Sequence, residues 1–188
     1  MHILLIDNYD SFTWNLHQLL RQAGASCIDV VKNDSITESQ IAHADALVFS
    51  PGPGLPHQAG EMGNIIRRHA DNKKMLGVCL GHQAIGEVFG AKIIPAPNIY
   101  HGEQTPLHII CNNGIFNQIP QYTLVGRYHS WIVDKKGLPL DLKITATDDK
   151  GIIMAMQHVH FDITGIQFHP ESIMTLTGLQ MIKNWIRS

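Results

Sequence analysis

The first half of the sequence alternates short apolar runs with segments of helical periodicity, and this alternation constrains the fold more than any other feature. Four apolar runs have the length and composition of buried strands: HILLID, SCIDVVKN, DALVFS and KMLGV. The segments between them predict helices: SFTWNLHQLLRQAG ending at Gly24, a short one with Ser35 and Glu38 in capping-box spacing, and EMGNIIRRHAD. This spacing predicts βαβ units, and therefore a parallel sheet covered by helices on both faces.

After about Ala91 the pattern changes to strands joined by turns. Five runs are predicted strands: AKIIPA, PLHIICNN, TLVGRYHSWIVD, LKITATDD and GIIMAMQH. A final strand, TGIQF, leads into HPES and a C-terminal helix, MTLTGLQMIKNWIRS. We therefore predict an α/β fold, a single domain over residues 1–188 with an open, mostly parallel sheet, flanking helices and additional antiparallel strands.

Composition describes an ordinary soluble globular protein, because 44% of the 188 residues are hydrophobic and 16% are charged. The net charge of −2 provides no basic field for nucleic acid or for an anionic membrane. No apolar run is long enough to span a bilayer, and the N-terminal segment has no features of a secretory signal. Since the three cysteines are few and widely spaced, we predict a cytoplasmic protein without a disulfide framework.

Three loops that carry chemically useful residues follow predicted strands: SPGPG, CLGHQ and HPES. In open α/β sheets, binding and reactive groups gather at the carboxyl ends of the strands. We therefore expect these loops to meet at one edge of the sheet.

Cys79 lies between two glycines at a predicted strand-to-helix turn. Gly77-x-Cys79-x-Gly81 has the spacing of a nucleophile elbow, with cysteine in the place of serine. So tight a turn leaves no space for β-carbons at the flanking positions, and glycine suits both. At the start of a helix, unpaired N–H groups and the helix dipole favour the thiolate. A buried, unreactive cysteine is the alternative, and the flanking glycines argue against it.

His169 and Glu171 follow the last predicted strand and are two residues apart, so in an extended segment their side chains point the same way. Pro170 between them stiffens that spacing. Glu171 could orient His169 and stabilise its imidazolium, which would complete a Cys-His-Glu triad. Taken alone, the segment also fits a proline turn with a solvent-facing glutamate.

Two backbone N–H groups could hold an oxyanion, those of Gly54 and Leu80. Leu80 directly follows the candidate nucleophile. Gly52-x-Gly54 also matches the start of a dinucleotide-binding fingerprint, but the third glycine is missing and no helix opens there. His158 and His160 have no cysteine or carboxylate at metal-ligand spacing. We therefore predict neither a metal site nor a cofactor in this chain.

The motifs PGPG, GVCLGHQ and QFHPES occur in this order over nearly the whole chain, and together they resemble those of the class I (triad) glutamine amidotransferases. The opening LLIDNYDSFTWNL and the later RYHS narrow the resemblance to the small glutaminase subunits of anthranilate synthase and aminodeoxychorismate synthase. The resemblance implies a flavodoxin-like fold and the hydrolysis of glutamine.

The resemblance also implies roles for individual residues. The triad would be Cys79 as nucleophile, His169 as general base and acid, and Glu171 as the residue that orients the histidine. The glutamine site would consist of Gly52, Pro53 and Gly54, with Gly54 and Leu80 as the oxyanion hole, and Gln83, Ser130 and Trp131 at the amino-acid end of the substrate.

A partner protein is implied as well, because no second active site that would use the ammonia is visible in the sequence. The expected acceptor is a chorismate-binding synthase subunit, which would itself require Mg²⁺.

Two positions depart from the expected pattern. Trp131 replaces a smaller aliphatic residue, in a segment expected to contact glutamine through its backbone. Glu103, in YHGEQT, stands where a lysine is common in the family. The reversed charge affects which synthase partner is expected, and it does not affect the chemistry of the site.

Three alternatives compete with this interpretation. The glutaminase part of a carbamoyl-phosphate, GMP or CTP synthase usually lies on a longer chain. A papain-like protease is disfavoured by the cysteine elbow and by a glutamate, not an asparagine, two residues after the histidine. A catalytically silent subunit that only binds or regulates a partner typically lacks the cysteine or the His-Glu pair, and here all three residues are present.

Overall fold

The structure, a computed structural model, describes residues 1–188 and contains a central eight-stranded sheet in the order β2-β1-β3-β4-β12-β11-β10-β7. Two further pairs, β5 with β9 and β6 with β8, lie outside it. The strands are β1 (His2–Asp7), β2 (Cys27–Lys32), β3 (Ala46–Phe49), β4 (Lys74–Val78), β5 (Ile93–Pro95), β6 (Glu103–Pro106), β7 (His108–Ile109), β8 (Leu124–Arg127), β9 (Trp131–Val133), β10 (Leu142–Thr147), β11 (Ile153–His158) and β12 (Ile163–Ile166).

Five α-helices and two 3₁₀ turns connect these strands. The helices are α1 (Thr13–Ala23), α2 (Glu38–His43), α3 (Met62–His69), α4 (Leu80–Val88) and α5 (Gly178–Arg187), and the 3₁₀ turns are Pro56–Gln58 and Gly114–Phe116. As predicted, α1 ends at Gly24, which adopts the left-handed conformation of a helix C-cap. None of the helices is both long and apolar enough to pass through a bilayer.

The parallel half of the sheet confirms the α/β fold predicted from the alternating pattern. Strands β2, β1, β3, β4 and β12 are all parallel. Every residue of β3 is buried, because helices cover both faces of the sheet. The carboxyl ends of the parallel strands share one edge, so the loops after β3, β4 and β12 converge there.

The apolar core is divided by the sheet into two layers. On one face α1 and α5 pack on the strands through buried side chains such as Leu16, Leu20 and Trp185. On the other face α2, α3 and α4 contribute buried side chains such as Ile41, Ile65 and Ile85. These residues recur at helical spacing, which explains why each amphipathic segment forms a helix with one buried stripe.

The second half of the chain differs from the prediction in three places. The run TLVGRYHSWIVD was predicted as one strand but forms β8 and β9, which pair with different partners. The intervening residues 128–130 leave the strand and line a cavity described below. The C-terminal helix begins only at Gly178, because residues 172–177 form turns, one of which directs the Thr175 hydroxyl to the His169 carbonyl (2.7 Å). Strand β6 was not predicted.

The start of α2 also differs from the prediction. Ser35 and Glu38 do not form the capping box; Thr37 caps the helix, with its hydroxyl accepting from the Gln40 N–H (3.3 Å) and the Gln40 side chain accepting from the Thr37 N–H (2.9 Å). The pairs Ser35–Glu38 and Thr37–Gln40 both have the three-residue spacing of a capping box. The Ser35 N–H still closes a turn onto the Lys32 carbonyl, so the helix begins after it.

Replacing Thr37 with alanine should therefore destabilise the protein by about 1 kcal/mol, because the Gln40 N–H loses its cap. Ser35→Ala is the matched control and should change the free energy of unfolding by less than about 0.5 kcal/mol. Urea unfolding of the two variants measures both values. Equal losses would contradict the assignment of the cap to Thr37.

Candidate functional site

Cys79 occupies the turn between β4 and α4 in a strained backbone conformation, with φ 52° and ψ −98°. Non-glycine residues rarely adopt positive φ, and such strain persists only where the surroundings enforce it. Here the Cys79 N–H donates to the Ile166 carbonyl (2.8 Å), which ties the turn to the end of β12. The side chain is 6% exposed and lies at the amino end of α4, where the first N–H groups lack partners within the helix.

The glycines that flank Cys79 are required by close packing, as the spacing predicted. A β-carbon on Gly77 would lie 2.4 Å from the backbone of Gly81. A β-carbon on Gly81 would lie 2.6 Å from the Phe49 carbonyl oxygen in β3. Backbone therefore packs directly on backbone at this turn, and only glycine fits at either position.

His169 and Glu171 form a buried pair at the end of β12. The His169 Nδ1 lies 2.7 Å from Glu171 Oε1, and both side chains are almost completely buried. Burial by itself lowers the pKa of His169, but the charge of Glu171 and the contacts of the ring with Cys79 and Glu171 outweigh it. The pKa of His169 is consequently raised well above its ordinary value. The imidazolium form is thus favoured next to the cysteine.

The neighbouring residues hold the His169 ring in place. The His169 N–H donates to the Gly126 carbonyl (3.0 Å), and the Thr175 hydroxyl donates to the His169 carbonyl (2.7 Å). The rings of Phe12 and Tyr128 meet the imidazole edge-on, with centroids 5.4 and 4.9 Å away. The ring therefore keeps its Nδ1 on Glu171, and its buried Nε2 makes no other well-formed hydrogen bond.

A cavity of about 200 Å³ opens beside Cys79. Its lining consists of Gly52, Pro53, Gly54, Cys79, Gln83, Tyr128, His129, Ser130 and Trp131. All the residues predicted for the glutamine site are in this lining except Leu80, which follows Cys79 as the first residue of α4. His169 and Glu171 are not part of this lining; His169 contacts Cys79, and Glu171 contacts His169.

The SPGPG loop approaches the turn at Cys79 closely. A β-carbon on Gly52 would lie 2.6 Å from Asn8 Cβ and 2.7 Å from Leu80 Cδ2, so glycine is required there. Gly54 has φ 77°, and its N–H forms no hydrogen bond within the protein. Behind the loop, the Asn8 side chain donates to the Ser50 carbonyl (2.8 Å) and fixes the loop to β1.

Gln83 and Trp131, predicted to hold one end of the substrate, are hydrogen-bonded to each other. The Gln83 Nε2 donates to the Trp131 carbonyl (2.9 Å) and to Gln167 Oε1 (3.2 Å). Both amide hydrogens of Gln83 are used, so only its oxygen is available to a ligand. Ser130 is exposed, and its carbonyl accepts from the Ala96 N–H (2.8 Å).

Sequence reasoning missed His129 and Gln167. His129 Nδ1 lies 2.9 Å from the Trp131 carbonyl, and its Nε2 accepts from Arg127 Nε (3.1 Å). Burial, followed by the charge of Arg127, lowers the pKa of His129 to about 3, so the ring is neutral. Gln167 is completely buried, with Nε2 3.6 Å from Cys79 Sγ. The sequence contained one signal for Gln167, which is a polar residue directly after the buried strand β12.

The histidines at 158 and 160 are occupied in local structure: the backbone N–H groups of His160 and Phe161 donate to His158 Nδ1 (3.1 and 3.0 Å). One other group, His2, Cys27 and Asp29, has potential ligand atoms within 4.8 Å of one another. It lies at the amino ends of β1 and β2, opposite the three loops, and we assign it no role.

Comparison with known proteins places these features in a family. The family model for "Glutamine amidotransferase class-I" matches residues 4–188. Anthranilate synthase component 2 of Lactococcus lactis is 48% identical to this chain, over 98% of the chain and 93% of the relative. Aminodeoxychorismate synthase component 2 of Escherichia coli K12 is 42% identical, over 98% of each protein.

A solved crystal structure from Thermoplasma acidophilum, named for a GMP synthase, has the same fold. It superimposes with a TM-score of 0.89 at 28% identity, and the match covers 100% of this chain and 92% of the other. The fold and the order of the elements are therefore those of the amidotransferases.

The close packing at the cysteine turn predicts a large difference between two glycine substitutions. Gly81→Ala should destabilise the protein by more than about 3 kcal/mol, because the new β-carbon overlaps the Phe49 carbonyl. Gly63→Ala, within α3 and 3.7 Å from the nearest side chain, should be neutral or stabilising by up to about 1 kcal/mol. Urea unfolding of both variants is the measurement. A tolerated Gly81→Ala would contradict the described turn.

Buried His82 predicts an acid-dependent loss of stability. Burial lowers its pKa from 6.5 to about 4, so below pH 6.5 the unfolded chain binds a proton that the folded chain excludes. The free energy of unfolding should fall as the pH drops from 6.5 to 4, with about 3 kcal/mol due to this residue. His82→Gln should flatten the slope, and the exposed control His101→Gln should leave it unchanged. Identical slopes in all three proteins would contradict the assignment.

Proposed function

The chain belongs to the class I glutamine amidotransferases, and we propose that it is the glutaminase component of a synthase that aminates chorismate. One observation carries the assignment of the site: His169, paired with the buried Glu171, contacts Cys79 beside a small cavity. Pockets for drug-sized ligands start at about 300 Å³. A cavity of about 200 Å³ therefore suits a substrate as small as one amino acid.

In the proposed first half-reaction, the Cys79 thiolate attacks the side-chain amide carbon of glutamine. The N–H groups of Gly54 and Leu80 hold the oxyanion of the tetrahedral intermediate. When the C–N bond breaks, protonated His169 gives its proton to the departing nitrogen and ammonia leaves. A γ-glutamyl thioester remains on the cysteine. The raised pKa of His169 supports this role as acid.

In the second half-reaction, neutral His169 accepts a proton from water, and the resulting hydroxide attacks the thioester carbon. The C–S bond breaks, glutamate leaves, and the thiolate–imidazolium pair is restored. Glu171 stabilises the imidazolium whenever His169 is protonated, because its carboxylate accepts from Nδ1. None of these steps requires a metal or cofactor; the Mg²⁺ that the resemblance implies would belong to the synthase partner.

The released ammonia has to reach an acceptor before it is protonated by bulk water. Ile173 and Leu176, which follow Glu171 in the chain, are 92% and 89% exposed, so apolar surface lies next to the site. Such exposed side chains favour a protein partner that covers this edge. The relatives named above are components of anthranilate and aminodeoxychorismate synthases. We therefore propose that the partner is a chorismate-binding synthase subunit.

The experiment that tests this proposal measures glutamate release from glutamine by the chain alone and with each candidate partner plus chorismate. The aromatic product is identified in the same reaction. We expect activity to increase with one partner and to fall at least 1,000-fold in Cys79→Ser, because the hydroxyl is not activated as the thiol is. Anthranilate as product would indicate tryptophan synthesis, and aminodeoxychorismate would indicate folate synthesis.

A second variant separates glutaminase chemistry from assembly. His169→Asn should abolish the use of glutamine, while ammonia supplied directly still supports product formation by the assembled complex. Glutamine-dependent product from Cys79→Ser would contradict the triad. Binding without activity would indicate a silent regulatory subunit, and no binding to either candidate would indicate the glutaminase of another synthase.

A further inference from the structure

The amide of Gln167 is a buried polar group that the mechanism above does not use. The side chain lies in the segment between β12 and His169 and is completely buried. Its Oε1 accepts from Gln83 Nε2 (3.2 Å), and its Nε2 lies 3.6 Å from Cys79 Sγ. The group therefore bridges a residue of the cavity wall and the candidate nucleophile.

The orientation of this amide follows from the hydrogen bonds that its neighbours are able to make. The Trp131 carbonyl can only accept, so the Gln83 group that faces it at 2.9 Å must be the NH₂. The same NH₂ then meets Gln167, whose facing atom must be the acceptor Oε1. The other end of the Gln167 amide, directed at Cys79, is consequently the donor.

The Trp131 carbonyl accepts a second hydrogen bond, from a histidine that is held by a buried ion pair. Arg127 Nη1 donates to Asp148 Oδ2 (2.7 Å), and both side chains are almost fully buried. Arginine can only donate, so His129 Nε2 must accept from Arg127 Nε. A neutral ring that accepts at Nε2 carries its proton on Nδ1, and it therefore donates to the Trp131 carbonyl. These hydrogen bonds connect six residues in series, and we call this series the hydrogen-bond chain: Asp148, Arg127, His129, Trp131, Gln83 and Gln167.

We propose that Gln167 is a catalytic residue that donates a hydrogen bond to the thiolate of Cys79, with its orientation imposed by the Trp131 carbonyl through Gln83. This inference rests on the proposed role of Cys79 as nucleophile. His169 provides one cationic partner of the sulfur, and the Gln167 NH₂ provides a second, neutral donor. The bond stabilises negative charge on sulfur before attack and again when the thiolate leaves the thioester. No atom of Gln167 is transferred in either step.

The hydrogen-bond chain also links the cavity wall to the nucleophile. The Trp131 carbonyl, on the segment expected to hold glutamine, accepts from both His129 and Gln83. A displacement of that carbonyl would change the position of the Gln83 NH₂ and, through it, the donor on Cys79. The substrate site and the reacting sulfur thus share one set of hydrogen bonds.

The test measures alkylation of Cys79 by iodoacetamide as a function of pH, in a protein whose other cysteines carry Cys27→Ser and Cys111→Ser. Gln167→Met removes the donor at similar size, and Gln167→Glu keeps the shape and the acceptor for Gln83 but replaces the NH₂ by a carboxyl group. Gln157→Met, on β11, is the matched control. Its amide donates only weakly to the Thr164 hydroxyl (3.5 Å).

We expect alkylation at pH 7 to slow about tenfold in Gln167→Met and at least as much in Gln167→Glu, because hydrogen bonds to charged groups are the stronger ones. Both rates should approach the parent rate as the pH rises. The control should alkylate at the parent rate. Recovery at high pH distinguishes a lost donor from damaged packing, and thermal melting shows whether each variant is folded.

Two failures are distinguishable. If a glutamine-like electrophile does not alkylate Cys79 in preference to Cys27 and Cys111 in the unsubstituted protein, the proposed nucleophile is wrong. If Cys79 is alkylated but the folded Gln167 variants react at the parent rate at every pH, the role of Gln167 is overturned while the nucleophile stands. If Gln167→Met does not fold, Gln167→Glu decides between these results.

Discussion

Direct contact between backbones, at the turn that carries Cys79, is the constraint on which the site depends. Gly77 and Gly81 have no space for a β-carbon, so α4 can begin against β3 and β4 at a distance that no other residue permits. The positive φ of Cys79 costs free energy, of order 1–3 kcal/mol, which the packing of α4 on the sheet has to offset. The backbone therefore fixes the direction in which the Cys79 side chain leaves the turn.

Electrostatics then distinguishes histidines that share the same degree of burial. Burial opposes the charge on His82, His129 and His169 alike, and the partner decides the outcome. His82 has no charged neighbour and stays neutral, and Arg127 reinforces neutrality in His129. Glu171 reverses the effect at His169. Three buried imidazoles thus differ in charge, two being neutral and one favouring the imidazolium form.

The sequence was most informative where a function depends on local geometry. The glycines around Cys79 and the spacing of His169 and Glu171 are local patterns, and the parallel sheet follows from the alternation of strands and helices. Gln167 could not be recognised in this way, because its partner Gln83 is 84 residues distant in the chain. The break between β8 and β9 was equally invisible, since it depends on two strands pairing with different neighbours. Roles of individual site residues remain predictions.

The position of β12 in the sheet has a consequence for how the protein is made. This strand is the last to be synthesised, yet it lies between β4 and β11 at the centre of the sheet. The carbonyl of Ile166, which anchors the cysteine turn, and the His169–Glu171 pair both emerge from the ribosome long after Cys79. A nascent chain that ends before β12 therefore contains Cys79 without the carbonyl that anchors its turn and without the buried His169–Glu171 pair beside it.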